Sequence, residues 1–441
     1  MIGINNHMEV RYLQTFSVDS VSKYIEIVET LGIENFIYRG QNEPYYGIQA
    51  NGFRTYLGGW SSDKIYNIDK LSKDYYQQVI TKLTTEEKQY FLAFCQHHGI
   101  PTNLIDFSYS PLVALFFSCQ GKQEPTFSLS ELADKISTET LKNDSATQQM
   151  LISNLINRLE KPTLSQYAQV YLLNKKWLLD ITDIISELEQ SSLIESIYND
   201  GKIRIQLIHK LINLFKNTEI TISEISECLI QIIECYRDNN VDFWGGYYSD
   251  NDNIDEELEN DEMETLFSFS RRLEEENLND VILDLYYFVF EEMEDERIPY
   301  ESDIFNHYPD DGGTYRLSAA TYILLLANLI QIFHNDRKGA DKLELDLKIY
   351  FTYQPANLFD RINSQKGLFI YQPYFYSCDS VYNHNVLSTQ RITPDIKIEI
   401  DNYQTILSEL DALGFNLGSV YGDLDNIAKS VIYSYRRKNQ I

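Results

Sequence analysis

Arg39 follows the apolar run Phe36-Ile-Tyr and precedes Gly40 and Gln41. A guanidinium fork at the end of a strand, beside a backbone that a ligand can approach closely, suits a phosphate or a carboxylate. The plain alternative is an internal ion pair with one of the chain's 66 acidic residues. Gln41 adds an amide that either orients a ligand or caps the turn. Asp106 sits within Leu104-Ile-Asp-Phe107, where a carboxylate needs a partner. Arg39 or Arg54 is the expected one, which gives Asp106 the task of orienting an arginine. His97 and His98 end a helical stretch, where the dipole favours a protonated imidazole, so His98 is a candidate base or ligand contact as well as a helix cap. Thr102, after Pro101, can donate to backbone or ligand. Ser108 and Ser110 face the same choice, and Ser110-Pro111 also reads as a helix start.

Other chemistries are excluded by what the chain lacks. There is no G-x-S-x-G elbow, no phosphate-binding P-loop and no G-x-G-x-x-G. The five cysteines contain no CxxC pair, so neither a zinc site nor a disulfide framework is expected. Asp250-Asn-Asp252-Asn-Ile-Asp255 lacks the central glycine of a calcium loop, and the acidic run 250–264 reads as a solvated face. No metal is expected. A formal net charge of −29 repels phosphate backbones and disfavours non-specific nucleic-acid binding. The low cysteine density fits a reduced compartment, and Met1 to Phe16 lacks the pattern of a secretory signal; a cytoplasmic location is expected. The most apolar stretch, Leu317 to Phe333, contains Asn328 and Gln331 and reads as a buried helix rather than a membrane span.

The elements that must position these residues follow from periodicity. Val21, Tyr24, Ile25, Val28 and Leu31 form a helical stripe. Residues 35–41 read as a short strand, 71–98 as a helix pair, 104–107 as a buried strand and 112–119 as a helix. Segments 147–160, 201–216, 222–236, 278–290 and 317–334 are helical by period. Strand character returns at 345–353 and 367–376. A strand at 396–400 and helices at 403–413 and 427–435 follow.

In order and polarity, four blocks resemble the FRG domain family: Phe36-Ile-Tyr-Arg39-Gly40-Gln41; the stretch Phe91 to Phe117; Arg361 to Phe369; and Ile406 to Gly414 with Asp423, Asp425 and Ala428. The chain departs from the family at Asn103, where a basic residue is usual, and at Phe107, where a tryptophan is usual. More distantly, the pattern is similar to the ADP-ribosyltransferase fold. The resemblance implies an α+β, ADP-ribosyltransferase-like FRG domain in two parts, 1–122 and 343–441. These would be split by a mostly α-helical insert, 123–342. It also implies NAD as substrate. Tyr38, Arg39, Gly40, Gln41, Arg54, Thr102, Asp106, Ser108 and Ser110 would contact the ligand, with Phe369 among the aromatic walls of the pocket. Arg39, His98 and Gln365 would carry the chemistry, with Gln365 standing where such enzymes place a glutamate. The implied function is ADP-ribose transfer or NAD cleavage, in a bacterial toxin or phage-defence setting. The alternative is a non-catalytic module that binds a nucleotide or a protein, with the helical insert supplying the protein contact.

Overall fold

The structure, a computed structural model, describes residues 14–43, 47–54, 65–122, 167–188, 192–218, 220–238, 266–292, 313–333, 342–355, 360–379, 384–422 and 424–438. The acidic run 250–264 and the segment 147–160 lie outside them.

Eleven strands occur among the described residues: β1 (Gln14–Val18), β2 (Phe36–Gln41), β3 (Leu104–Ser108), β4 (Ala168–Asn174), β5 (Leu178–Asp180), β6 (Lys342–Leu345), β7 (Tyr350–Tyr353), β8 (Gly367–Tyr371), β9 (Tyr374–Asp379), β10 (His384–Gln390) and β11 (Ile396–Ile400). The helices before β4 are α1 (Val21–Leu31), α2 (Ile68–Val79), α3 (Thr85–Gln89), α4 (Phe91–His97) and α5 (Pro111–Cys119). Between β5 and β6 come α6 (Thr182–Ile185), α7 (Leu193–Asn199), α8 (Gly201–Asn217), α9 (Ile222–Asp238), α10 (Ser268–Glu275), α11 (Leu278–Glu292) and α12 (Thr314–Phe333). After β7 come α13 (Asp360–Ser364), α14 (Tyr403–Ala412), α15 (Leu417–Tyr421) and α16 (Leu424–Lys438).

Eight strands form one mixed sheet in the order β1-β11-β4-β2-β3-β8-β7-β5, and β6-β10-β9 form a second, smaller sheet. Strand alternation divides the main sheet's side chains between two apolar layers. Phe36 and Tyr38 of β2, with Val170 and Leu172 of β4 and Ile398 of β11, pack against Tyr24 and Val28 of α1, Val113 of α5 and Ile406 of α14. Ile37 and Leu173 turn to the opposite layer, which is continuous with α7 to α12. Lys348 helps tie α9 to the sheet: it pairs with Glu227 at 2.7 Å and lies 4.2 Å over the Trp177 ring. No helix among the described residues is long and apolar enough to cross a membrane.

The fold is a mixed arrangement of helices and sheet, and both ends of the chain contribute strands to the main sheet. The helical reading of 123–342 is corrected at β4 and β5. β4 lies in the interior of the main sheet, bonded to β11 on one side and β2 on the other. Both of its faces are buried, so its residues form a nearly continuous apolar run without the alternation that marks a half-buried strand.

The first turn of α2 docks onto β9, where the Tyr374 hydroxyl donates to the Asp69 carboxylate. Burial pushes Asp69 above the ordinary carboxylate value, although the Tyr374 bond opposes it. A raised folded value favours the protonated form in the fold. The group's stabilisation is therefore fully present below the unfolded value and is lost as pH rises through the folded one. Asp69→Asn keeps an acceptor for Tyr374 and removes the titration. Calorimetry between about pH 4 and pH 7 should show the variant gaining in Tm over the wild type as pH rises. A difference that stays flat or shrinks would contradict this reading of Asp69.

Candidate functional site

β2 and β3 meet at one bridge, Tyr38 opposite Ser108. Beyond it they part: residues 36–41 ladder with β4, and residues 104–108 ladder with β8. Arg39 fills the opening. Its Nη1 donates to the Asp106 main-chain carbonyl at 2.7 Å, and its Nε is buried without a hydrogen-bond partner.

From Asp106 a chain of side-chain bonds runs back to α4. The exposed Asp106 carboxylate accepts from Gln96 Nε2 at 3.1 Å, and Gln96 Oε1 accepts from the Thr102 hydroxyl at 2.6 Å. The partner expected for Asp106 was an arginine; it is Gln96 instead. The reason is positional: where the strands part, Arg39 reaches the Asp106 carbonyl while the carboxylate turns out to water and to Gln96. Arg54, the other expected partner, gives its Nη2 to the Gln49 carbonyl at 2.7 Å.

A second group forms on the far side of the bridge. Ser108 Oγ donates to the Gln365 carbonyl at 2.6 Å and accepts from the Ser110 amide at 2.9 Å. Ser110 caps α5, its hydroxyl accepting from Val113 N at 3.4 Å, with Pro111 in the first turn. Gln365 lies in the turn between α13 and β8, where Lys366 adopts a positive φ of 45°. The Gln365 side-chain amide nitrogen is buried without a partner. Phe369 lies opposite Asp106 in the β3–β8 ladder and is buried.

Hydrogen bonds thus link Arg39 to Asp106 and, through Gln96, Asp106 to Thr102, and separately link Ser108 to Ser110 and Gln365, with Phe369 opposite Asp106 in the β3–β8 ladder. Other expected residues sit elsewhere. Tyr38 turns into the α5 layer and donates to the Ile33 carbonyl at 3.0 Å, and burial pushes its phenol up to about 12. Gln41 is buried and braces the loop after β2, donating to the carbonyls of Glu43 and Gly47 at 3.1 and 3.0 Å. Gly40 presses on α5. His98 caps α4, its exposed ring 4.3 Å from that of Phe94. Sequence reasoning passed over Gln96. Its signal was its place six residues before Thr102 across the Gly99 turn, which folds the two side chains together.

A cavity of about 170 Å³ lies away from this opening, between the end of α5 and helices α14 to α16. Phe116, Cys119, Leu407, Phe415, Leu417 and Ser430 are among its walls. None of the expected site residues lines it.

Residues 34–126, which hold the opening's β2, α4, β3 and α5, match the family model of the FRG domain. The FRG match covers this segment of the chain. No curated protein and no solved structure matches the chain. The matched FRG segment supplies Arg39, Gln96, Thr102, Asp106, Ser108 and Ser110, whereas Phe369 joins it from far downstream through the β3–β8 ladder and Gln365 through the bond from Ser108 to its carbonyl. Among the described residues no group of His, Cys, Asp and Glu is arranged to hold a metal ion.

Proposed function

We propose that the FRG domain binds NAD at the β2–β3 opening and acts on it as an enzyme of the ADP-ribosyltransferase type, by ADP-ribose transfer or by cleavage of the nicotinamide bond. The observation that carries this reading is a pair of buried donors left without partners, Arg39 Nε beside β3 and Gln365 Nε2 in the turn whose carbonyl Ser108 holds. Buried donors are rarely left unpaired, and a ligand rich in acceptor oxygens, such as a dinucleotide, satisfies both. In this reading Arg39 holds the diphosphate, and Gln365 hydrogen-bonds a ribose hydroxyl. The exposed Asp106 carboxylate supplies the negative charge that an oxocarbenium-like transition state favours and a glutamine cannot give. A bacterial toxin or phage-defence effector is the use this chemistry implies.

The second reading is a non-catalytic module that binds a nucleotide or a protein, with the helices α7 to α12 offering the protein contact. Two observations favour it. Arg39 already spends one donor on the Asp106 carbonyl, and a glutamine stands at the late position.

Titration calorimetry of NAD against the wild type, with an assay for released nicotinamide, separates the two. Arg39→Ala should weaken NAD binding roughly tenfold to a hundredfold, since a charge-assisted bond contributes about 1.5–3 kcal/mol. Arg39→Lys should not restore it, because a point charge replaces a fork. Binding without nicotinamide release or transfer supports the module. Absence of binding heat at millimolar NAD, with both Arg39 variants merely less stable, sinks the NAD reading and leaves Arg39 as a brace between β2 and β3.

A further inference from the structure

The final helix lies with its polar side against the protein. In α16, Ser430 is buried and Asn426 half-buried, and Ser430 Cβ comes within reach of Gly418 of α15. The apolar positions point the other way. Leu424 is 84% exposed, Val431 64% and Ile432 52%, and Ile427, Ala428 and Tyr435 are exposed with them. On a helix of 3.6 residues per turn these six positions make one continuous stripe, opposite in sense to a helix packed on its own core. Scattered exposed apolar residues need no explanation, but a contiguous stripe along a helix marks an interaction surface.

The charges along the helix indicate which partner fits. Asp425 stands in its first turn, and Arg436, Arg437 and Lys438 follow one another at its end. Helical period puts positions 425 and 436 on the same flank of the stripe, about three turns apart. When two such helices lie antiparallel about a two-fold axis, each flank meets the same flank of its partner. Position 424 then faces 435, 428 faces 431, and Asp425 of each copy faces Arg436 of the other. A parallel pair would instead set the basic ends side by side. The apolar stripe and the two charges at positions 425 and 436 are therefore complementary in the antiparallel orientation.

We propose that α16 is a homodimer interface, in which two copies of this chain pack their α16 stripes antiparallel. The proposal is independent of any nucleotide chemistry. One helix pair is a small interface by the standards of stable complexes, so association in the micromolar range is expected.

Sedimentation velocity of the full chain from about 1 to 100 µM should show a monomer–dimer equilibrium. Val431→Glu should raise the dissociation constant at least tenfold and leave the monomer's Tm unchanged, because the residue is exposed within one copy. Asp425→Arg and Arg436→Asp should each weaken the dimer, and the double exchange should restore it. Several outcomes overturn the proposal. One is a wild type that stays monomeric at the highest concentration; another is a dimer indifferent to Val431→Glu. Failure of the charge exchange to restore association overturns the antiparallel register. A monomer that loses several degrees of Tm on Val431→Glu would show the stripe covered by the chain itself. Flotation of the monomer with phosphatidylcholine–phosphatidylglycerol vesicles would assign the stripe to a membrane surface.

Discussion

Gly40→Ala should leave little or no folded protein. A Cβ at position 40 would lie 1.8 Å from the Ala114 carbonyl oxygen and 2.6 Å from the Ser118 amide nitrogen, both on the backbone of α5. No side-chain rotation relieves a clash with main chain. β2 cannot retreat either, because residues 36–41 are laddered to β4 on their other edge. Relief requires α5 to lift from the sheet, which would open the layer that buries Tyr38, Val113, Ala114 and Val170. Overpacking a core ordinarily costs about 1–3 kcal/mol; with backbone on both sides, more than about 4 kcal/mol is expected, in the range where single substitutions unfold a protein. Gly367→Ala is the matched control. Its nearest contacts would be ordinary ones, at 3.5 to 3.8 Å, so it should fold and unfold in urea close to the wild type. Equal soluble yield and equal urea midpoints for the two variants would refute the steric account of Gly40.

Gln372→Leu is the second large loss expected. Gln372 is buried between the two sheets and makes four hydrogen bonds there. Its main chain exchanges bonds with Asn103, at 3.0 Å through its own amide and at 3.1 Å from the Asn103 side chain. Its side-chain Oε1 accepts from the Ala50 amide at 2.9 Å, and its Nε2 donates to the Gln390 carbonyl at 2.7 Å. Leucine keeps much of the volume and leaves the Ala50 N–H and the Gln390 carbonyl without these partners. Each buried group left unsatisfied costs about 1–3 kcal/mol, so roughly 2–6 kcal/mol of stability should go. Hydrogen exchange gives the local check, since the Ala50 amide should lose protection. A urea midpoint within experimental error of the wild type would mean that water or a neighbour replaces the lost bonds. The same geometry gives Asn103 its place: a short amide reaches the Gln372 carbonyl in a buried site.

What the sequence revealed and what it hid divide along physical lines. Helices α1, α5, α8 and α9 were legible because each sets apolar residues at helical spacing, and α5 carries the Ser110-Pro111 start. β3 was legible as a short apolar run broken by one carboxylate. β4 was not, because a strand buried on both faces has no alternation to read. At the site, the residue types were visible but their partners were not. The polarity of Asp106 signalled a bond; whether Arg39 would meet its carboxylate or its carbonyl depends on where two strands diverge, which no local pattern encodes. The same limit applies to α16. Its apolar period is plain in Leu424, Ile427, Val431 and Tyr435, yet the period alone says nothing about which side faces the protein.

The strand order bears on how the FRG domain can be inherited and handled. β2, which holds Arg39, is laddered on one side to β4, from beyond the matched segment, and β3 is laddered to β8, from the last quarter of the chain. β1 pairs with β11, so the first described strand finds its partner far along the chain, at residues 396–400. A fragment cut at residues 34–126 would therefore carry the motif that defines the family but expose raw edges on both β2 and β3. The matched segment and the sheet it belongs to are different stretches of chain. In this protein the FRG motif is not a transplantable module; it is one part of a sheet whose other strands come from throughout the sequence.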